Sequence, residues 1–211
     1  MVSICNSPVD NGSPAGVVKR SGRATIPTEH GLFEAVSYVD AVGHDHMAYV
    51  STATGDSPPL VRIHSECLTG DVLGSLRCDC GSQLRKALEV IGQQGGIVVY
   101  LRGHEGRGIG LGQKLRAYKL QDSGLDTVDA NEALGFAADP RTYEVAAAIV
   151  SDLGYQSIRL LSNNPAKSEA LASLGIHVAD QLPLTGDVTA ENVRYLETKR
   201  VRMAHTFDPC L

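Results

Sequence analysis

Apolar and polar residues alternate through the first third of the chain. Leu32, Val36 and Tyr38 fall at even spacing, and Val61 and Ile63 repeat it further on; a two-residue period is that of a strand with one buried face. The stretch from Ala24 to about Glu66 is therefore predicted as strands separated by turns. His44-Asp45-His46 lies between two strand-like runs and reads as a solvated hairpin turn rather than a metal-binding His pair. After Cys80 the period lengthens. Leu84, Leu88 and Ile91 recur at helical spacing up to Gly95-Gly96. Ile97 to Leu101 is an unbroken apolar run, as expected of a strand buried on both faces. Gly112 to Asp122 reads as a helix stopped by Gly124. Asp139-Pro140 opens another, with Asp as N-cap and Pro at the first helical position, and Val145, Ile149 and Leu153 form its stripe before Gly154. Ser157 to Leu161 is a strand, Asn164-Pro165 starts a short helix ending near Gly175, Ile176 to Ala179 is a last strand, and Glu191 to Ala204 a C-terminal helix. Strands first, then strands alternating with helices, make an α+β (mixed α/β) domain.

Composition narrows the class. The 211 residues suit one domain with enough apolar material, 43%, for a real core. A net charge of −5 argues against a nonspecific nucleic-acid binder but leaves room for a local basic pocket. No apolar run approaches the roughly 18–20 residues that span a bilayer, and the start has no signal-peptide core. Residues 1–23, rich in Ser, Pro, Gly and Asn, are expected to be a disordered leader, residues 24–205 the domain and residues 206–211 a loose tail. A cytoplasmic location is the default expectation.

The five cysteines bring the first chemistry. An odd count without an export signal argues against a disulfide framework. Cys5 and Cys210 read as incidental thiols, but Cys67, Cys78 and Cys80 form C-x10-C-x-C, a set of soft ligands suited to Zn²⁺. With His64 or His104 as fourth ligand the site would be a closed structural knuckle. With water it would be an open catalytic one, and spacing alone leaves both readings standing. Three thiolates weaken the metal's Lewis acidity, so nearby cations would have to help, and Arg62, Arg77 and Arg102 are at hand in the sequence. The glycine-rich run Arg102 to Gly112 follows one buried strand and precedes a helix. Its backbone N–H groups suit phosphate oxygens and Arg107 an oxyanion. It is neither a GxGxxG fingerprint nor a P-loop, and by itself it reads equally as a flexible turn.

Longer motifs resolve the choice. The chain resembles the GTP cyclohydrolase II family from about Ala24 to His205. The resemblance is carried by Arg62-Ile63-His64-Ser65-Glu66-Cys67-Leu68-Thr69-Gly70-Asp71, Arg77-Cys78-Asp79-Cys80-Gly81, Glu105-Gly106-Arg107-Gly108-Ile109-Gly110-Leu111, Asp126-Thr127-Val128-Asp129-Ala130-Asn131, Leu134-Gly135-Phe136-Ala137-Ala138-Asp139-Pro140-Arg141 and Leu160-Leu161-Ser162-Asn163-Asn164-Pro165, all in order. It implies hydrolysis of GTP to 2,5-diamino-6-ribosylamino-4(3H)-pyrimidinone 5′-phosphate, formate and pyrophosphate, the first step toward riboflavin. It also implies one Zn²⁺ per subunit, Mg²⁺ with the GTP, and a homodimer.

Position by position, the resemblance makes Cys67, Cys78 and Cys80 the zinc ligands with water in the fourth site. Arg62, Ile63, His64, Ser65, Glu66, Gln83, Glu105, Gly106, Arg107, Thr127, Ser162 and Lys167 would bind GTP, with Gln83 suited to a base edge and Ser162 and Lys167 on the phosphate side. Tyr118 would lie close to the guanine ring. Asp139 and Arg141 would be proton acceptor and nucleophile, although a guanidinium is a strained choice of nucleophile. The chain departs from many members in having Ser162 for Thr, which keeps the hydroxyl, and Ala166 for Lys, which leaves Lys167 alone in that pair. About two dozen residues before the domain lead to the expectation of a monofunctional copy. Two rivals stand beside this reading: an enzyme arrested at the formamidopyrimidine, and a non-catalytic nucleotide-binding zinc module.

Overall fold

The computed structural model describes residues 16–53, 55, 57–137, 139 and 141–206. Three long strands, β1 (Val18–Thr28), β2 (Gly31–Asp40) and β3 (Asp45–Ser51), form an antiparallel meander, as the alternation in β2 requires. Then come β4 (Leu60–Ser65), the short helix α1 (Leu68–Asp71), α2 (Cys80–Gln94), β5 (Ile97–Leu101), a 3-10 turn (Glu105–Arg107), α3 (Leu111–Asp122), α4 (Thr127–Ala133), α5 (Glu144–Asp152), β6 (Ser157–Leu161), α6 (Pro165–Ser173), β7 (His177–Leu182) and α7 (Val193–Arg202). All seven strands form one sheet in the order β1-β2-β3-β5-β4-β6-β7. It is antiparallel up to β3–β5 and parallel from β5 through β4 and β6 to β7.

The core lies on both faces of this sheet. On one, Ile63, Val99 and Leu160 pack against Ala146 and Ile149 of α5 and Leu171 of α6. On the other, Phe33, Leu60 and Val98 meet Ala87 and Ile91 of α2. That sandwich is why the central strands β4 and β5 read as continuous apolar runs. The connection from β4 to β5 leaves β4 on one side and the connection from β5 to β6 returns to its other side. The carboxyl end of β4 is thus a switch point, where open α/β sheets leave a crevice for ligands.

Several expectations need correcting. Residues 1–15 and 207–211, with Cys5, Cys210 and most of the expected leader and tail, lie outside the described residues, but residues 18–23 belong to β1. Val18 is in the core, and Arg20 pairs with Asp152 of α5. The turn between β2 and β3 holds only His44 of the His-Asp-His triplet. His46 is 3% exposed, shares a hydrogen bond with Asp40 at 3.2 Å and accepts the Arg102 N–H at 3.2 Å. Asp139 does not cap a helix either. Helix α5 starts five residues later, behind Tyr143, because the Asp139 carboxylate is taken by the Arg141 guanidinium and backbone N–H.

Helix α2 approaches the β1–β2 turn so closely that its Gly92 has no room for a side chain: a Cβ there would lie 1.9 Å from the His30 carbonyl oxygen. Gly92→Ala must push backbone against backbone and is expected to cost about 3 kcal/mol, the upper end for overpacking. Urea denaturation checks this, and an unchanged midpoint would contradict the packing described.

Candidate active site

The crevice at the end of β4 is built around the cysteines. Cys67 follows β4 and leads into α1, Cys78 sits in the turn before α2, and Cys80 is the first residue of α2. The turn is fixed by Asp71, whose carboxylate accepts the Cys67 N–H at 3.0 Å, holds His64 Nε2 at 3.0 Å and receives the Tyr100 hydroxyl at 2.8 Å. Gly70 makes the space between the sulfurs. A Cβ on it would lie 2.9 Å from Cys78 Sγ and 3.2 Å from Cys67 Sγ.

The three Sγ atoms lie within 4.8 Å of one another, and Cys67 and Cys78 are 3.7 Å apart. A tetrahedral ion with metal–sulfur bonds of about 2.3 Å needs sulfurs about 3.8 Å apart, so the set fits a metal of the zinc type. Among the described residues no His, Asp or Glu joins them at that range. The two candidates for closing the site lie outside that range: His64, whose Nε2 bonds Asp71, and His104, whose Nδ1 bonds Ser65 Oγ at 3.2 Å. Hydrogen bonds from Cys78 and Cys80, then the Lys114 ammonium, lower the Cys67 pKa below the usual thiol range, while the hydrogen bond to Cys67 and burial raise that of Cys78.

Two cavities open from this point, each about 610 Å³ including the part open to solvent. The first is lined by the three cysteines, Glu66, Gly106, Tyr118, Thr127 and Asn131. Arg77 stacks on the Tyr118 ring at 4.8 Å. The second holds Arg62, Lys167, Lys199, His64, Gln83 and Ser162, and no described Asp or Glu. Ser65, Cys80, Arg107, Arg141 and Tyr195 line both. Arg107 takes a left-handed φ of 65°, a costly backbone for a non-glycine residue that persists where the surroundings require it. The second cavity is electrostatically primed for an anion. Burial, then the Arg62 and Arg141 charges, drive the Lys167 pKa well below its usual value, and an anion among these cations would reverse that push.

Most of the expected site residues line these cavities; Ile63, Glu105 and Asp139 do not, and Gln83 does so in another role. Ile63 is core, and it reaches the site only through its carbonyl oxygen, which accepts Lys167 Nζ at 2.9 Å. Glu105 lines neither cavity; it bonds Lys114 at 2.6 Å and the Leu68 N–H at 2.6 Å. Gln83, expected at a base edge, lies in the cationic cavity with its amide committed to Arg62, Asp79 and the Leu184 carbonyl. Asp139 faces a third cavity beside Ala166 and Tyr143, on the far side of Arg141.

The structure also adds residues that sequence reasoning passed over: Lys114, Asn131, Tyr195, and Lys199 paired with Asp79 at 2.8 Å. A signal existed for three of them. Lys114 precedes Tyr118 by four positions on α3, and Tyr195 precedes Lys199 by four on α7; such pairs share a helix face.

A family model described as GTP cyclohydrolase II matches residues 19–183. The riboflavin biosynthesis protein RibBA of Mycobacteroides abscessus is 54% identical over 197 residues, covering 89% of this chain and 47% of its own. RibBA of Nocardia farcinica is 56% identical over 191 residues, covering 89% and 46%. A probable monofunctional riboflavin biosynthesis protein, chloroplastic RIBA 3 of Oryza sativa, is 54% identical over 185 residues, covering 86% and 34%. The chain thus spans about half, or less, of the length of these curated relatives. A solved structure, RibBX, a two-domain 3,4-dihydroxy-2-butanone 4-phosphate synthase from A. baumannii, is similar over 83% of this chain and 42% of that one. Its identity of 23% and TM-score of 0.45 are too low to bear on function. With the family model covering most of the chain and relatives above 50% identity, this protein belongs to the GTP cyclohydrolase II family.

Proposed function

We propose that this chain hydrolyses GTP to 2,5-diamino-6-ribosylamino-4(3H)-pyrimidinone 5′-phosphate, formate and pyrophosphate, with one Zn²⁺ held by Cys67, Cys78 and Cys80 and Mg²⁺ accompanying the phosphates. One observation carries the reading. A three-thiol cradle with no fourth protein ligand among the described residues shares a wall with a cavity of cations, so a single nucleotide can reach across both. The base would lie over the cysteines and Tyr118, the phosphates among Arg62, Arg107, Arg141, Lys167 and Lys199. Zinc bound there would supply Lewis acidity and a water of lowered pKa for attack on carbon 8 of the base.

The chain's own groups have separable tasks. Tyr118 has its hydroxyl pKa raised, chiefly by burial, so it stays protonated at neutral pH and can donate to the opening ring. Glu105 is the poorer shuttle, since Lys114 and the Leu68 N–H occupy it. Arg107 and Arg141 would stabilise charge on the departing pyrophosphate. Lys199, paired with Asp79, sits in the same cavity as Lys167 and adds a second lysine there, whereas Ala166 lines the third cavity. A homodimer and a cytoplasmic location are added to the proposal from the family resemblance; among the described residues no helix is long and apolar enough to cross a membrane.

Zinc-loaded protein given GTP and Mg²⁺ is expected to release formate and pyrophosphate in equal amounts, both abolished by Cys78→Ser. Pyrophosphate without formate would favour an enzyme arrested at the formamidopyrimidine. Neither product, with zinc bound and GTP retained, would favour the binding module.

A further inference from the structure

Of the cations near the cysteines, the three expected to temper the thiolates do other things. Arg62 bonds Gln83 at 2.8 Å and the Leu161 carbonyl at 3.0 Å, Arg77 stacks on Tyr118, and Arg102 points out beside Glu66 at 3.9 Å. Among the described residues, a cation that donates to a cysteine sulfur is Lys114, on α3. Its ammonium has three N–H donors and three acceptors at bonding distance: Cys67 Sγ at 3.0 Å, Thr69 Oγ1 at 2.8 Å and Glu105 Oε1 at 2.6 Å. Lys114 is 7% exposed, a burial that lysine tolerates only when paired.

We infer that Lys114 is a positioning residue for the metal: its N–H bond to Cys67 drains charge from that thiolate and sets its direction. The inference rests on the reading of the cysteines as a zinc site. Three thiolates on a divalent ion leave one net negative charge in a buried place. The bonded ammonium offsets it, and a charge-assisted bond to a ligand atom orients the ligand and stabilises the charge it carries in the metal complex. Glu105 ties the same ammonium to the Leu68 N–H, next to Cys67 in the chain, and to the Gly106 N–H at 3.1 Å. The glycine-rich loop, α1 and α3 are thereby locked around one sulfur.

The competing role is charge balance alone, Lys114 serving only to neutralise buried Glu105. Two variants separate them: Lys114→Met, and Lys114→Met with Glu105→Gln, which removes both charges. Zinc affinity is read by competition with a chromogenic chelator, and the cobalt-substituted proteins give the thiolate-to-metal charge-transfer band. Lys114→Met is expected to lower zinc affinity about 10–100-fold, the usual effect of losing an outer partner of a metal ligand, and to move the band to lower energy. The double variant should keep both changes. If it returns to the wild-type affinity and band, or if Lys114→Met alters neither, the inference is overturned. Neither readout needs GTP. A wild-type protein that binds zinc but releases no formate would defeat the proposed activity and leave this inference standing.

Discussion

Alanine in place of Gly70 is expected to cost the cysteine cradle its metal while the chain stays folded. The added methyl would lie 2.9 Å from Cys78 Sγ, 3.1 Å from Cys80 Cβ and 3.2 Å from Cys67 Sγ. None of these neighbours is the free end of a long side chain. Cys67 is pinned through its N–H to Asp71, and Cys80 is the first residue of α2. The sulfurs must therefore spread, and a metal site tolerates only about 0.2 Å in its ligand distances. Zinc affinity should fall by on the order of 100-fold or more, and formate release with it. The apo protein should lose only about 1–3 kcal/mol, since the overlap falls on side chains. Gly81→Ala is the harsher contrast: its Cβ would lie 2.2 Å from the Gly70 carbonyl oxygen, backbone that cannot turn aside. Zinc content after dialysis against a chelator, paired with urea denaturation of the apo forms, tests both. A Gly70→Ala protein retaining stoichiometric zinc would show that the glycine is not what shapes the cradle.

What was legible in the chain follows from which features are local. The apolar run of β5 and the stripe of α2 announce themselves because both are long enough to repeat a period against a buried face. Asn164-Pro165 marks α6 well, since the Asn164 side chain does accept the Ala166 N–H at 3.1 Å. The same kind of signal misled at Asp139-Pro140, where an arginine two residues on outcompetes the helix for the carboxylate. Helix α1 has 4 residues, too few to show a period. The first residues of β1 went unrecognised because most of that strand is exposed and polar. At the site, cysteine spacing was readable but closure was not. His104 meets Ser65 only once β4 and β5 lie side by side, and His64 is set by Asp71 across the β4–α1 turn, so neither ring's distance from the sulfurs shows in the spacing. For Lys114 the four-residue spacing to Tyr118 hints at the site, but a lysine on a helix otherwise signals solvent until the fold surrounds it with a thiol, a hydroxyl and a carboxylate.

Arg141→Met is expected to slow pyrophosphate release by about 10²–10³, the usual loss when one donor to developing charge is removed, whereas Arg141→Lys should retain a substantial part. The argument turns on which protonation state the site favours. Burial alone would lower the Arg141 pKa, but the Asp139 hydrogen bonds and charge, with Tyr143 nearby, outweigh it and raise it above the ordinary guanidinium value. Burial would raise the Asp139 carboxyl, yet the Arg141 bonds bring it below the ordinary range. The pair is bidentate, Nε to Oδ1 at 2.7 Å and NH2 to Oδ2 at 2.5 Å. Each partner thus holds the other in its charged form. A nucleophilic guanidine would need the reverse, a neutral arginine beside a carboxylate basic enough to take its proton. Asp139 lines neither of the two cavities beside the cysteines but a third one, while Arg141 lines all three. That geometry suits a carboxylate that aims a permanent cation at phosphate oxygens. Lysine keeps the charge but loses the fork, so its residual rate measures how much of the effect is charge alone. Asp139→Asn, which leaves the cation intact but unaimed, should cost up to about 10²-fold. Should Arg141→Lys prove as inactive as Arg141→Met in a pyrophosphate assay, while still binding zinc and GTP, charge alone would not account for the role, and the two-point fork or a covalent part would have to carry it.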